Sequence, residues 1–242
     1  MAEAVGDYLC VDLETTGLSP KLDKIIEIGA VKVKNGQIED TFQTFVHPGR
    51  ALSEHVVKLT GISEADLADA PPIGETLPRF LEFAQELPLV GHQLLFDYSF
   101  LKRAAVNARL TFERSGVDTL KLSRKFLADL PSRKLSDLCE HYGIRLQAHR
   151  ALEDAKATHF LYQKLYENFY EQSKEEFSPR PLIYKVKREG PATKAQKERL
   201  GRLLLQNGLT ADYEIELLTK NEASRLIDKI LASYGILQNS VK

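Results

Sequence analysis

The sequence has few cysteines, no long apolar run and almost no net charge. Its two cysteines, Cys10 and Cys139, are too few for a disulfide framework and favour a reducing compartment. No apolar segment approaches the roughly 18 residues that a membrane-spanning helix needs, and the first residues lack the pattern of a secretory signal. We therefore expect a cytoplasmic protein without a membrane partner. The net charge of −1, from 33 Lys and Arg against 34 Asp and Glu, argues against a protein that simply coats polyanions.

The charges are distributed unevenly along the chain. Residues 1–170 carry 20 basic and 24 acidic side chains, a net of −4, whereas residues 171–242 carry 13 and 10, a net of +3. Eight basic residues fall between 177 and 202, and Pro179, Pro181, Gly190 and Pro191 lie in the same stretch, which is typical of a linker. With 43% hydrophobic residues, the chain can form a sizeable core. We predict a domain over 1–171, a basic Pro/Gly-containing linker over 172–191 and a small helical module of unknown role over 192–242.

Hydrophobic periodicity predicts a mixture of strands and helices. Short apolar runs and a strong Asn35-Gly36 hairpin signal predict strands near 8–11, 25–33, 37–46, 88–90 and 116–117. Helical periodicity marks roughly 75–86, 97–108, 119–127, 134–142 and 151–170. A hairpin followed by alternating strands and helices predicts an α/β fold with a mixed sheet flanked by helices.

The C-terminal region predicts two capped helices. Thr193 with Gln196 and Thr219 with Glu222 both fit the capping box. The first helix should end at Gly208 and the second near Gly235. The apolar residues expected on their facing sides are Leu200, Leu203 and Leu204 in the first helix and Ala223, Leu226, Ile227, Ile230 and Leu231 in the second.

Two carboxylates follow the first predicted strand. Asp12 and Glu14 are two residues apart, so on a strand both point to the same side of the sheet. Two converging anions at the end of a buried strand are unfavourable without a compensating cation. A hard divalent cation with oxygen ligands would compensate them. The alternative is that Asp12 begins a loop and Glu14 is merely solvated.

Three further ionisable groups lie close to predicted helix starts. Asp97 precedes one helix, and His149 and Asp154 flank the start of another. If His149 lies on the loop and Asp154 in the first turn, His149 suits a general base that deprotonates water. The alternatives are a helix cap for Asp97 and, for the other two, a surface histidine and a helix N-terminal acid. His92 is predicted to be a structural histidine.

Taken together, the carboxylates and the histidine can meet only if the fold brings separate segments together, and converging carboxylates are what a two-metal phosphodiester hydrolase needs. Over residues 7–168 the sequence resembles the DEDDh (DnaQ-like) 3′–5′ exonucleases of the ribonuclease H-like superfamily. Within that family it is similar to the proofreading exonuclease of bacterial DNA polymerase III. The matching motifs are Asp12-Leu13-Glu14-Thr15-Thr16-Gly17-Leu18, Gly91-His92 with Phe96-Asp97 and Phe100-Leu101, and His149-Arg150-Ala151-Leu152-Glu153-Asp154.

The resemblance implies a ribonuclease H-like fold and a set of site residues. Asp12, Glu14, Asp97 and Asp154 are implied ligands of two Mg²⁺ or Mn²⁺ ions, with Asp12 bridging them. His149 is the implied general base. The implied reaction releases nucleoside 5′-monophosphates from 3′ ends of single-stranded or frayed DNA, and a DNA polymerase or replisome component is an implied partner.

The resemblance also implies contacts to the substrate. The implied contact residues are Thr15, Thr16, Leu59, Thr60 and Ile62, with Phe96 and Phe100 stacking on bases. Ordinary core packing is an equally good explanation for Leu59 and Ile62 and a better one for the two phenylalanines.

The second motif departs from the usual family pattern. Gln93-Leu94 stands where family members usually carry Asn-Ala, so the local loop and the substrate preference can differ. Two other activities remain open: an RNA-trimming exonuclease similar to ribonuclease T, and a non-catalytic replisome accessory or nucleic-acid-binding protein with the same fold. The basic tail suggests phosphate contacts that hold single-stranded substrate, with a solvated linker and packing appendage as the alternative.

Overall fold

The computed structural model describes residues 6–146 and 150–234. The chain forms two compact units within these ranges. The first comprises residues 6–48 and 52–186, and the second comprises residues 49–51 and 187–234. No helix in the described ranges is long and apolar enough to cross a membrane.

The first unit is built on a six-stranded mixed sheet. Its strands are β1 (Tyr8–Thr15), β2 (Ile25–Lys34), β3 (Gln37–Phe45), β4 (Leu89–Gly91), β5 (Ser115–Asp118) and β6 (Arg180–Pro181). The strand order is β3-β2-β1-β4-β5-β6. β1, β2 and β3 pair antiparallel, β4 and β5 run parallel to β1, and β6 is antiparallel to β5. The predicted mixed sheet is therefore confirmed.

Seven α-helices of this unit flank the sheet or connect its strands: α1 (Glu54–Thr60), α2 (Glu64–Leu67), α3 (Ile73–Ala84), α4 (Leu95–Asn107), α5 (Thr119–Phe126), α6 (Leu135–His141) and α7 (Ala151–Phe169). Two short 3-10 helices, Tyr170–Gln172 and Lys174–Phe177, follow α7. The five predicted helices are confirmed to within two residues at each end. The helices α1 and α2 were not predicted. α2 has only four residues, and α1 has Val56 as its one buried apolar residue, whereas α6, also of seven residues, carries Leu135, Leu138 and Cys139 at helical spacing.

Both faces of the sheet are covered, which explains the continuous apolar run in β1. Leu9, Val11 and Leu13 pack on one face with α3 and α4, while Tyr8 and Cys10 pack on the other with α5, α6 and α7. Successive side chains of a strand point to opposite faces, so a central strand covered on both sides is apolar at every position. This burial holds β1 as the rigid centre of the unit.

Residues 172–186, predicted as part of a linker, pack as part of the first unit. Phe177 is fully buried beside α7, and β6 hydrogen-bonds to β5. The prolines and basic residues obscured this packing, because a two-residue strand and a single aromatic anchor leave almost no pattern in the sequence.

The second unit consists mainly of α8 (Lys194–Gln206) and α9 (Lys220–Tyr234). Both predicted capping boxes are present at Thr193 and Thr219. The predicted apolar faces pack together around Leu200, Leu203, Ala223, Ile227 and Ile230. The first helix ends at Gln206, two residues before Gly208, which adopts a φ of +61°. Gly235, the predicted end of the second helix, lies outside the described residues.

Candidate active site

Asp12 and Glu14 lie at the carboxyl end of β1. The strand is hydrogen-bonded to β2 along its length, and its register pairs Asp12 with Gly29 and Glu14 with Glu27. Both acidic side chains are half-buried. Because they are two residues apart on a regular strand, they share one face, as the sequence predicted.

Asp154 joins these two carboxylates from α7. It lies in the first turn of that helix and is buried. One carboxylate oxygen from each of Asp12, Glu14 and Asp154 lies within 4.8 Å of the other two. Three of the four predicted metal ligands therefore meet at one point.

Asp97, the fourth predicted ligand, approaches the same strand from α4. It is buried in the first turn of the helix, and its Oδ1 accepts a hydrogen bond of 3.1 Å from the backbone N–H of Leu13, between Asp12 and Glu14. Among the neighbouring charges, that of Asp97 acts most strongly on Asp12. The hydrogen bond to β1 fixes Asp97 beside the other three carboxylates.

Burial and the neighbouring negative charges raise the pKa values of three of the site carboxylates. Burial raises the pKa of Asp12 well above its usual range, and the charges of Asp97, Asp154 and Glu14 raise it further. Burial followed by the charges of Asp154 and Glu27 raises the pKa of Glu14 to about 7, against a smaller lowering by Arg150. Burial also raises the pKa of Asp97, although the Leu13 N–H partly offsets it. These shifts mark a site that favours the binding of positive charge.

The donor set fits a hard divalent cation. All the grouped atoms are carboxylate oxygens, the ligands that Mg²⁺ and Mn²⁺ prefer over softer sulfur donors. Several carboxylates held together also repel one another without a compensating cation. The residues present are therefore suited to hold such ions.

His149, the predicted general base, lies outside the described residues. The next residue, Arg150, is described and forms an ion pair with Glu27 of β2, with 3.1 Å between Arg150 Nη2 and Glu27 Oε1. Sequence reasoning gave these two residues no role. The signal was available: Glu27 is a lone acid within the apolar run of β2, and a buried charge there requires a partner.

The first-motif threonines shape the loop that follows β1. Thr15 Oγ1 donates a 2.7 Å hydrogen bond to the carbonyl oxygen of Gly17, and Thr16 Oγ1 accepts one of 2.9 Å from the N–H of Lys24. Both side chains are half-buried at the end of the strand that carries the carboxylates. Their predicted contact with substrate stays a prediction.

The segment 59–62 presents its side chains in two ways. Leu59 is 48% exposed. Thr60 is buried, and its hydroxyl donates to the carbonyl of Val56 and accepts from the N–H of Ile62. Ile62 is buried in a small core with Ile26 and Val56, so its side chain serves core packing and not substrate contact. The side chain left open for contact is that of Leu59.

The two phenylalanines of the second motif pack against each other, with ring centres 5.1 Å apart. Phe100 is 3% exposed and belongs to the core between α4 and the sheet, so its ring is not available to stack on a base. Phe96 is half-buried against the same core. The position of Phe100 on the inner face of α4 therefore agrees with core packing, the explanation that the sequence favoured over base stacking.

The departures in the second motif have a structural explanation. Leu94 is fully buried, and its side chain occupies the space beside Gly91 and Gly116, where a Cβ on either glycine would lie within 3 Å of it. Gln93 is exposed with a φ of +69°, and Asp118 Oδ1 accepts its N–H. His92, predicted to be structural, is confirmed as such by bonds from its two ring nitrogens to Thr119 Oγ1 and the Arg133 carbonyl.

The first unit is similar in sequence to known exonucleases and polymerases. The model of the exonuclease family matches residues 9–162. The PolC-type DNA polymerase III of Caldanaerobacter subterraneus subsp. tengcongensis is 49% identical over 171 residues, which are 70% of this chain and 12% of that polymerase. The chain thus spans about an eighth of the length of this curated relative.

Solved structures share the fold of the first unit. Exonuclease X, solved with 5′ overhanging duplex DNA, is 25% identical with a TM-score of 0.55, covering 67% of this chain and 92% of that one. The nuclease domain of 3′hExo, a DEDDh family member bound to rAMP, is 23% identical with a TM-score of 0.61, covering 76% of this chain and all of that one. The sheet and its flanking helices therefore form a ribonuclease H-like exonuclease fold.

Proposed function

This chain belongs to the exonuclease family whose model matches residues 9–162, and from that premise we propose that it is a metal-dependent 3′–5′ exonuclease. It would release nucleoside 5′-monophosphates from 3′ ends of single-stranded or frayed DNA, with RNA as the alternative polymer. The observation that carries the proposal is the convergence of Asp12, Glu14 and Asp154 within 4.8 Å, with Asp97 bonded to the strand between them.

The roles of the residues follow from their chemistry. Asp12, Glu14, Asp97 and Asp154 would hold two divalent cations, Mg²⁺ or Mn²⁺. When bound, such ions stabilise charge on the attacking and leaving oxygens of a phosphodiester. His149, whose ordinary pKa lies close to neutrality, would take the proton from the attacking water. Thr15, Thr16 and Leu59 would contact the terminal nucleotide, whereas the buried Thr60 would hold the turn that presents Leu59.

The partners in the cell are part of the same proposal. The curated relative is a PolC-type DNA polymerase III, and this chain covers 12% of it. We extend the proposal to a role beside a DNA polymerase in the cytoplasm, acting on replication or repair intermediates. The helical module over 192–242, with the basic residues Lys185, Lys187 and Arg188 that precede it, would add contacts to the phosphates of the nucleic acid strand.

Oligonucleotides of matched sequence test the proposal. Wild-type protein with Mg²⁺ should release labelled mononucleotide at once from a 3′-labelled strand and progressively shorten a 5′-labelled one. The Asp12→Ala variant should neither release the 3′ label nor shorten the 5′-labelled strand. The control variant Asp40→Asn, which removes an exposed carboxylate on β3, should behave like wild type. Early release of a 5′-labelled mononucleotide would contradict the polarity, and no release by wild type would favour the non-catalytic alternative.

A rate comparison on DNA and RNA of the same sequence then identifies the preferred polymer. The scissile phosphodiester is common to both, so discrimination depends on contacts to the 2′-hydroxyl. We expect faster hydrolysis of DNA. Faster hydrolysis of RNA would favour the RNA-trimming alternative.

A further inference from the structure

Glu27 is a fully buried acidic residue on the strand next to the one that carries Asp12 and Glu14. It lies on β2 and pairs with Glu14 in the sheet register. Burying a carboxylate is unfavourable unless partners replace the water that would solvate it. Four donors surround this one: Arg150 Nη2 at 3.1 Å, Arg150 Nε at 3.4 Å, Gln43 Nε2 at 2.7 Å and the backbone N–H of Ala151 at 3.2 Å.

One of these donors is the first N–H of α7. The first N–H groups of a helix have no partner within the helix, and Arg150, the residue at the cap position, makes no side-chain capping bond. The Glu27 carboxylate takes that place from the neighbouring strand. A negative group at this position is also favourable to the helix dipole, so the start of α7 is anchored to β2.

Arg150 connects this anchor to Asp154. Its guanidinium is bonded to Glu27 and lies over the ring of Phe45, with 5.3 Å between Arg150 Cζ and the ring centre. Its carbonyl oxygen accepts the 3.0 Å hydrogen bond from the N–H of Asp154. The same residue is therefore fixed to the sheet by its side chain and to the carboxylate-bearing turn by its backbone.

We propose that Glu27 and Arg150 are positioning residues that hold the first turn of α7 so that Asp154 faces Asp12 and Glu14. Their charges act on Glu14 in opposite directions, so the effect that the two residues share is the one on Asp154, and neither touches the substrate. This inference rests on the proposed function, because the orientation of Asp154 matters only if the carboxylates bind metal. Residues that orient metal ligands typically change metal affinity or activity 10- to 100-fold when they are replaced.

The test measures Mn²⁺ binding by calorimetry on the full chain, alongside hydrolysis of a DNA oligonucleotide. Glu27→Gln and Arg150→Met should each weaken Mn²⁺ binding about 10- to 100-fold. They should lower kcat at subsaturating Mg²⁺, whereas KM for the oligonucleotide should stay within about threefold, because these residues act through Asp154 and not on the substrate. Saturating metal should restore part of the lost kcat.

Lys164→Met is the matched control. It also removes a cation from an ion pair on α7, that of Lys164 with Glu167, but at the far end of the helix, and should leave Mn²⁺ affinity unchanged. If Arg150→Met does not fold, Arg150→Lys takes its place. It keeps the charge but loses the two-point contact, and should weaken Mn²⁺ binding in the same direction.

Two results would overturn the inference, and they are distinguishable. If wild type binds Mn²⁺ and cleaves DNA while the Glu27 and Arg150 variants match it within twofold, the pair is merely structural. If wild type and the Lys164→Met control neither bind Mn²⁺ nor cleave DNA, the proposed function fails and this inference fails with it.

Discussion

Replacing Gly29 with alanine should displace the helix that carries Asp154. A Cβ at this position would lie 2.1 Å from the backbone carbon of Ala151 and from the nitrogen of Leu152. Cβ atoms essentially never approach other heavy atoms closer than 3.0 Å, so the start of α7 must move by at least about 0.9 Å, the difference between 3.0 and 2.1 Å. Both clashing atoms are backbone, so a change of rotamer cannot relieve the contact.

The expected effects on stability and activity follow from this displacement. Overpacking typically costs 1–3 kcal/mol, and a backbone clash belongs at the upper end, so we expect a loss of about 3 kcal/mol in the free energy of unfolding. A displacement of about 1 Å in a catalytic group can lower a rate about 100-fold, and Asp154 moves with its helix. Urea unfolding measures the first effect, and oligonucleotide hydrolysis below the unfolding transition measures the second.

The same substitution at an open glycine provides the control. A Cβ on Gly74, in the first turn of α3, has no heavy atom within 4 Å. Gly74→Ala should therefore leave activity unchanged. If Gly29→Ala is as stable as wild type and its activity lies within threefold of wild type, α7 does not lie directly on β2 at this residue, and the predicted displacement is wrong.

Three further predictions concern other parts of the chain. Gly201→Ala, in α8 with open space around the new Cβ, should stabilise the helical module by up to about 1 kcal/mol, and a lower Tm in thermal unfolding would contradict it. Gln93→Asn should raise stability by up to about 1 kcal/mol, because asparagine tolerates the φ of +69° better than glutamine does; unchanged urea unfolding would contradict that strain. Because the pKa of Glu14 is raised from 4.5 to about 7 in the folded state, the folded protein binds this proton more tightly, so metal-free stability should fall by about 3 kcal/mol as pH rises from about 4.5 to 7. Mn²⁺ binds the deprotonated carboxylate, so the rise in Tm that Mn²⁺ causes should grow between pH 5 and pH 8. A rise in Tm that does not grow over this range would contradict the raised pKa of Glu14.

Sequence patterns predicted the elements whose faces are buried over several turns or strand residues. The five predicted helices of the first unit and the β2–β3 hairpin at Asn35-Gly36 carry strong periodicity or turn chemistry, and the structure contains them. α1 and α2 were missed because neither carries a repeating apolar face. Their serine caps at Ser53 and Ser63, the latter with a full capping box, were the available signal.

The candidate site was predicted in part, because spacing alone does not determine which face a side chain occupies. The alternation of β1 gave the shared side of Asp12 and Glu14, and helix starts gave Asp97 and Asp154. The burial of Phe100 depends on how α4 is rotated against the sheet, which local sequence does not specify. The sequence indicates that Glu27, a lone acid in an apolar strand, needs a partner. Gln43 and Arg150 lie 16 and 123 positions from Glu27, so only the tertiary fold shows that they are its partners.

Diffraction from crystals grown with Mn²⁺ and a nucleoside 5′-monophosphate would show whether the four carboxylates hold two metal ions. At the manganese absorption edge, the account predicts two anomalous difference peaks bounded by Asp12, Glu14, Asp97 and Asp154, with Asp12 in contact with both. Crystals of the Asp12→Ala variant grown in the same way should lose at least one of these peaks. A wild-type map without a peak among these carboxylates would contradict the account.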